Sequence, residues 1–201
     1  MKIILASKNQ DKITEIKKIL VNSNIELLTS NDIDIPEVEE TGSTFVENAI
    51  LKARSASRVT GLASIADDSG IEVDYLNGEP GIKSARYSSP GTTNDNNNKK
   101  LLKKLNGVPI DKRTARYRCI IVFMRFPDDP FPYISLGSWE GYIAQKPKGD
   151  NGFGYDPIFY LPEYKKTSAQ ISSKEKNMIS HRAQALFHLQ HYFDNIFTIQ
   201  K

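Results

Sequence analysis

Two adjacent carboxylates, Asp67 and Asp68, stand between the apolar run 62–66 and the pair Ser69-Gly70. An acidic group at a strand end beside Ser and Gly is a way to hold a divalent cation near phosphate. The same pattern also serves as a plain turn. Ile65-Ala66 and Ile71-Glu72-Val73 predict strand, turn, strand around the pair. Successive side chains of a strand point to opposite faces, so the two carboxylates are expected to diverge, one of them toward a cleft. Ser7-Lys8-Asn9-Gln10-Asp11-Lys12 lies where a strand passes into a helix. Backbone N–H groups at a helix start, joined by a lysine, make an anion site, and an ordinary helix cap uses the same residues. The glycine-rich Walker pattern is absent.

Three more groups carry polar chemistry. Glu39-Glu40-Thr41-Gly42 leads into a segment with Glu47-Asn48-Ala49 and Lys52. Glutamates there either cap the positive end of the helix or lend a carboxylate to Mg²⁺. Gly152-Phe153-Gly154-Tyr155-Asp156-Pro157 interleaves glycines with aromatics, which suits a loop that takes a flat ring against its side chains or a tight turn with core aromatics. Ser180-His181-Arg182, after Lys174 to Lys176, is read as a serine cap with two donors in the first turn of the last helix.

The elements that must position these residues follow from periodicity. Lys2 to Ala6 reads as a buried strand and Asp11 to Val21 as a helix with Ile13, Ile16, Ile19 and Leu20 on one side. Ile25 to Leu28 reads as a strand, 31–42 as an acidic loop and Thr44 to Val59 as a second helix. Asn77 to Pro90 is a Gly- and Pro-rich loop, and Thr92-Thr93 cap a helix running to about Leu105. Arg116 to Phe126 and Tyr133 to Ala144 predict a hairpin, Lys146 to Pro157 a Gly-rich loop, and a last helix starts near Ser180. The order β-α-β-α-β, hairpin, helix predicts an α/β fold with a mixed sheet.

With 201 residues, 39% hydrophobic and 25% charged, the chain has the length of one domain, 1–201, and ordinary soluble composition. A formal net charge of +3 allows an anionic small ligand but falls far short of a basic nucleic-acid binder. Lys99-Lys100 and Lys103-Lys104 share one helix and read as a solvated face. The single cysteine, Cys119, lies in an apolar strand run and reads as a small buried residue. With no Cys/His cluster, no apolar stretch near the ~18 residues of a membrane span, and too short an apolar start for a signal peptide, a reducing cytoplasmic setting is expected.

These motifs, in this order, resemble the inosine triphosphate pyrophosphatase family, and most closely its bacterial branch. The blocks that carry the resemblance are 7–12, Glu39 to Ala49, Ala66 to Ile71, Gly78 to Tyr87, Gly152 to Phe159 and Ser180 to Leu186, so it covers nearly the whole chain. The resemblance implies an elongated mixed β-sheet with flanking helices, two lobes around a central substrate cleft, a homodimer and Mg²⁺ dependence. It implies hydrolysis of deaminated purine nucleoside triphosphates, ITP, dITP and XTP, to the monophosphate and pyrophosphate, which keeps these bases out of DNA and RNA. No stable nucleic-acid complex and no membrane association are expected. It assigns the triphosphate to Ser7, Lys8, Asn9, Gln10, Asp11 and Lys12, a phosphate to Lys52, metal and base roles to Asp68, substrate positioning to Ser69 and the purine to Phe153, Gly154, Tyr155, Asp156, Lys176, His181 and Arg182. Glu40 is the second metal ligand in this reading, with Glu37 and Glu39 as neighbours able to replace it. The family commonly has Thr-Gly-Asn where this chain has Ser7-Lys8-Asn9. The alternatives are a pyrophosphatase for other modified nucleotides and a nucleic-acid-binding module.

Overall fold

Strand β1 (Lys2–Leu5) carries Ile3, Ile4 and Leu5 in succession, all fully buried, and such a run needs cover on both faces. The computed structural model, which describes residues 1–21 and 25–199, supplies it. β1 pairs in parallel with β2 (Glu26–Leu28) and β3 (Ala63–Val73). The crossovers are α1 (Gln10–Ile19) and α2 (Phe45–Thr60). β4 (Thr114–Met124), β5 (Tyr133–Ile143), β6 (Phe159–Leu161) and β7 (Lys166–Thr167) complete a seven-stranded mixed sheet of order β2-β1-β3-β4-β5-β6-β7. β6 is antiparallel to both β5 and β7. The other helices are α3 (Asn94–Lys104), α4 (Ser173–Ile179) and α5 (His181–Ile199).

The chain divides into two compact units. In the first (1–68, 119–137 and 181–201), strand alternation sorts the core into two layers. Ile3, Leu5, Ile65, Cys119 and Ile121 pack with Ile13 and Ile16 of α1 and with Leu186 and Leu189 of α5. Ile4, Ala66, Ile120 and Val122 pack with Ala49, Ala53 and Ala56 of α2. A Cβ on Gly137 of β5 would lie 1.8 Å from the carbonyl oxygen of His181, so the start of α5 presses on this strand at a position only glycine can fill.

In the second unit (69–118 and 138–180), Ile71, Val73, Tyr117 and Trp139 bury against Leu101 and Leu105 of α3 and against Phe159. The alternate positions carry ions instead: Arg116 pairs with Asp74 at 2.6 Å and with Glu140 at 3.0 Å, and Arg118 pairs with Glu72 at 3.0 Å.

The helices at 10–19, 45–60 and 94–104 match the predicted ones, and their caps are Asn9, Thr44 and Thr93. The expected strand-turn-strand around Asp67 is instead one unbroken strand, β3. Its two carboxylates are satisfied by cations from elsewhere in the chain, so the polar pair has no need of a solvent-facing turn. The 77–90 loop contains a 3-10 turn at Gly81–Arg86. Ser180 closes α4, its N–H bonded to the Lys176 carbonyl, and α5 starts one residue later. α4 has a sequence signature, the Ser172/Glu175 capping box. Lys99, Lys103 and Lys104 are exposed as expected, while Lys100 is half-buried; Lys100 and Lys104 both lie over the Tyr87 ring.

Candidate functional site

Asn9 sits at the start of α1 because its side chain accepts from the N–H groups of Asp11 (3.0 Å) and Lys12 (3.1 Å). The Ser7 hydroxyl accepts from the Asn9 N–H at 3.3 Å. Lys8, Gln10 and Asp11 are exposed, and Gln10 donates to Asn31. Lys12 turns inward and pairs with Asp67.

Asp67 is 2% exposed and gathers three partners besides its own strand. One oxygen takes Lys12; the other accepts from Arg182 Nε and from the Cys119 thiol, each at 3.0 Å. Arg182, itself 2% exposed, also bonds Glu15 of α1 at 2.5 Å. The result is an alternating chain, Lys12, Asp67, Arg182, Glu15, joining α1, β3 and α5. Burial opposes ionisation of Asp67, but Arg182 and Lys12 outweigh it and hold the carboxyl well below its usual range. Arg182 is kept charged against its own burial by Asp67 and Glu15. Burial, with Asp67 beside it, pushes the Cys119 thiol well up, so it remains a protonated donor.

Asp68 points the other way, toward α2, as alternation requires. It accepts from Lys52 Nζ at 2.7 Å, and the same ammonium reaches Glu40 Oε1 at 3.1 Å. Burial pushes the Asp68 carboxyl up, and Lys52 offsets only part of that. Lys52 is held up by Asp68 and Glu40 despite its burial. Glu37 and Glu39 are exposed, so of the three glutamates Glu40 is the one sharing a cation with Asp68. Glu47 serves as a cap, accepting from Ser43 and Thr44.

Two carboxylates converging on one cation fit a hard divalent ion. Mg²⁺ is commonly bound through one or two carboxylates, its other positions filled by waters and phosphate oxygens. Among the described residues no group of three or more His, Cys, Asp or Glu is built to cage a metal by itself.

In the second unit, Tyr155 is buried and its hydroxyl donates to the Ser84 carbonyl at 2.8 Å. Asp156 and Lys176 form a buried pair, and Lys176 Nζ lies 4.9 Å from the centre of the partly exposed Phe153 ring. Asn98 donates to the Gly154 carbonyl at 3.1 Å.

The predicted residues thus fall into three groups: Lys12 and Arg182, which share Asp67; Asp68 with Lys52 and Glu40; and Phe153 with Asp156 and Lys176. Arg182, read as a donor to a purine, has two carboxylate partners within the first unit. His181 is buried in that unit also, and Ser69 opens the second. Sequence reasoning missed Glu15, Tyr117 and Ser168. None stands in a motif, and each is identified by its partner across the fold.

The Ham1 family model matches residues 3–192. A dITP/XTP pyrophosphatase of Thioalkalivibrio sulfidiphilus is 56% identical over 186 residues, 92% of this chain and 95% of that protein. The dITP/XTP pyrophosphatase of Escherichia coli K12 is 48% identical over 185 residues, 92% and 94% of the two chains. A solved HAM1 protein from Coxiella burnetii superposes with a TM-score of 0.90 at 44% identity, covering 97% of this chain and 99% of its own.

Proposed function

Because this chain belongs to the Ham1 family, we propose that it hydrolyses ITP, dITP and XTP to the monophosphate and pyrophosphate, with residues 1–201 acting as one catalytic domain. The observation that carries the reading is the convergence of Asp68 and Glu40 on one cation beside a lysine-bearing helix start. Nucleotide pyrophosphatases work with a divalent cation, and Mg²⁺ is the ion proposed here, held by Asp68 and Glu40. Such an ion would neutralise phosphate charge and acidify bound water.

The chain's own groups do the rest. Asp68 orients the water that attacks the α-phosphorus and takes its proton, and pyrophosphate leaves. Lys52 and Lys12 stabilise the charge that builds on the phosphate oxygens. Ser7 to Asp11 lie at the start of α1, where the helix dipole favours an anion, and Ser69 helps position the substrate. Lys8 stands where the family commonly has glycine, so the hydroxyl of Ser7 and the Asn9 side chain carry more of the phosphate contact.

The purine falls to Phe153, Gly154, Tyr155 and Lys176. Hypoxanthine and xanthine present O6, an acceptor, where adenine presents an N6 donor. A fixed ammonium at Lys176 pairs with O6 and faces adenine donor to donor, a mismatch that costs several kcal/mol in a buried site. The test is pyrophosphate release from a panel of ITP, XTP, dITP, ATP and GTP, with and without Mg²⁺ after EDTA treatment. Turnover of ITP and XTP far above ATP, abolished by chelation and restored by Mg²⁺, is expected. Equal turnover of ATP and ITP, or full activity in EDTA, breaks the reading. No helix among the described residues is long and apolar enough to cross a membrane; a cytoplasmic setting is part of the proposal. The homodimer is tested by light scattering.

A further inference from the structure

Asp156 is 1% exposed, and four donors from four segments converge on it. Oδ1 accepts from the Tyr117 hydroxyl at 3.3 Å and the Ser168 hydroxyl at 3.0 Å. Oδ2 accepts from the Phe153 backbone N–H at 2.9 Å and from Lys176 Nζ at 2.5 Å. A carboxylate has about four acceptor sites, so this one is filled by protein. Burial, with Asp156 beside it, pushes the Tyr117 phenol well up, so the phenol stays a donor. Gly152 lies so close that a Cβ there would sit 2.0 Å from Oδ2, at a φ of +73°. One oxygen therefore fixes both the backbone of Phe153 and the ammonium of Lys176, and that ammonium lies over the Phe153 ring.

We propose that Asp156 is a positioning residue: it holds the Lys176 ammonium at the Phe153 ring, so a keto-purine meets a platform and a donor already in place. The inference rests on the pyrophosphatase reading above. It assigns Tyr117 and Ser168 to the same task, as the two donors that hold the far oxygen. A flexible lysine side chain loses rotamer entropy when it binds, and fixing it beforehand removes much of that cost from the binding step. The gain belongs to binding and base selection; the phosphate chemistry is the work of other residues.

The experiment compares wild type with Asp156→Asn, Lys176→Met and the double variant, measuring kcat and KM for ITP and ATP and the affinity for ITP by calorimetry in EDTA. Asp156→Asn should raise the KM for ITP about 10-fold, leave kcat within about 2-fold, and lower the ITP-to-ATP preference by the same factor as KM rises. The double variant should be no worse than Lys176→Met alone, since both act through one ammonium. Unchanged KM and unchanged preference, with loss only in kcat or melting temperature, makes Asp156 a purely structural residue and overturns the proposal. Additive losses in the double variant overturn it also. If Asp156→Asn does not fold, Tyr117→Phe and Ser168→Ala replace it, each removing one donor from Oδ1; a KM raised about 2- to 5-fold at constant kcat supports the proposal, and constant KM in both overturns it. Wild type that turns over ITP while Asp156→Asn keeps its KM breaks this assignment alone. Wild type that neither binds nor cleaves ITP breaks it together with the pyrophosphatase reading.

Discussion

Asp67 and Asp68 are neighbours on one strand, yet the two faces of β3 give them opposite chemistry. On one face, Asp67 meets two cations and a thiol, and its carboxyl is held well below the usual range. On the other, Asp68 meets a single lysine shared with Glu40, and burial pushes its carboxyl up. Asp67 is therefore fixed as a carboxylate with its acceptors occupied, which suits a structural tie. Asp68 shares one cation with Glu40, and a divalent metal can take that cation's place, which suits a ligand. A motif of identical residues thus divides into two ion-pair settings according to what packs against each face.

The sharpest way to break this contrast is to neutralise each carboxylate without changing its shape. Asp67→Asn leaves Arg182 and Lys12 short of a buried counter-charge, which costs about 3–5 kcal/mol of stability. Urea unfolding checks this, and a loss below about 1 kcal/mol would show that the tie is not structural. Arg182→Ala removes the same pair from the other side. It should lower kcat/KM for ITP and ATP in equal proportion, together with stability. A loss confined to ITP would move Arg182 to the purine edge.

Asp68→Asn should show the converse pattern: at least ~10² lost in kcat, with the melting temperature within about 3 °C of wild type. Similar loss of turnover in both Asn variants at equal folded fraction would erase the division between the faces. A smaller effect is expected for Glu40→Gln, which should raise the Mg²⁺ concentration for half-maximal activity about 10-fold and leave kcat at saturating Mg²⁺ nearly intact.

Acid sharpens the same comparison, and the signs differ. Asp67 has a folded pKa below its unfolded value near 3.9, so its contribution to stability is complete above about pH 4 and is lost as pH falls through the folded value. Asp68 is raised, so its contribution is present below the unfolded value and is lost as pH rises through the folded one. Unfolding in EDTA across about pH 3 to 7 should therefore show a flatter acid limb for Asp67→Asn than for wild type. Asp68→Asn should instead gain relative to wild type as pH rises. Parallel profiles for all three proteins would contradict the assignment.

Local chemistry was legible in the chain from the start. Ile13 and Ile16 mark the buried side of α1, Asn9, Thr44 and Thr93 cap three helices, and the 2-residue period of β3 separates Asp67 from Asp68. These features depend on residues within a turn or a strand of one another, so the sequence by itself determines them, and the order of the motifs determined the family. Which carboxylate became the tie was decided only by tertiary structure. Arg182 lies 115 positions from Asp67 in the chain, and Glu15 lies 167 from Arg182. Asp156 draws its donors from Tyr117, Ser168 and Lys176 in three separate segments. The strength of a buried charge depends on the cations, donors and solvent around it, and packing brings those from parts of the chain that no local pattern links.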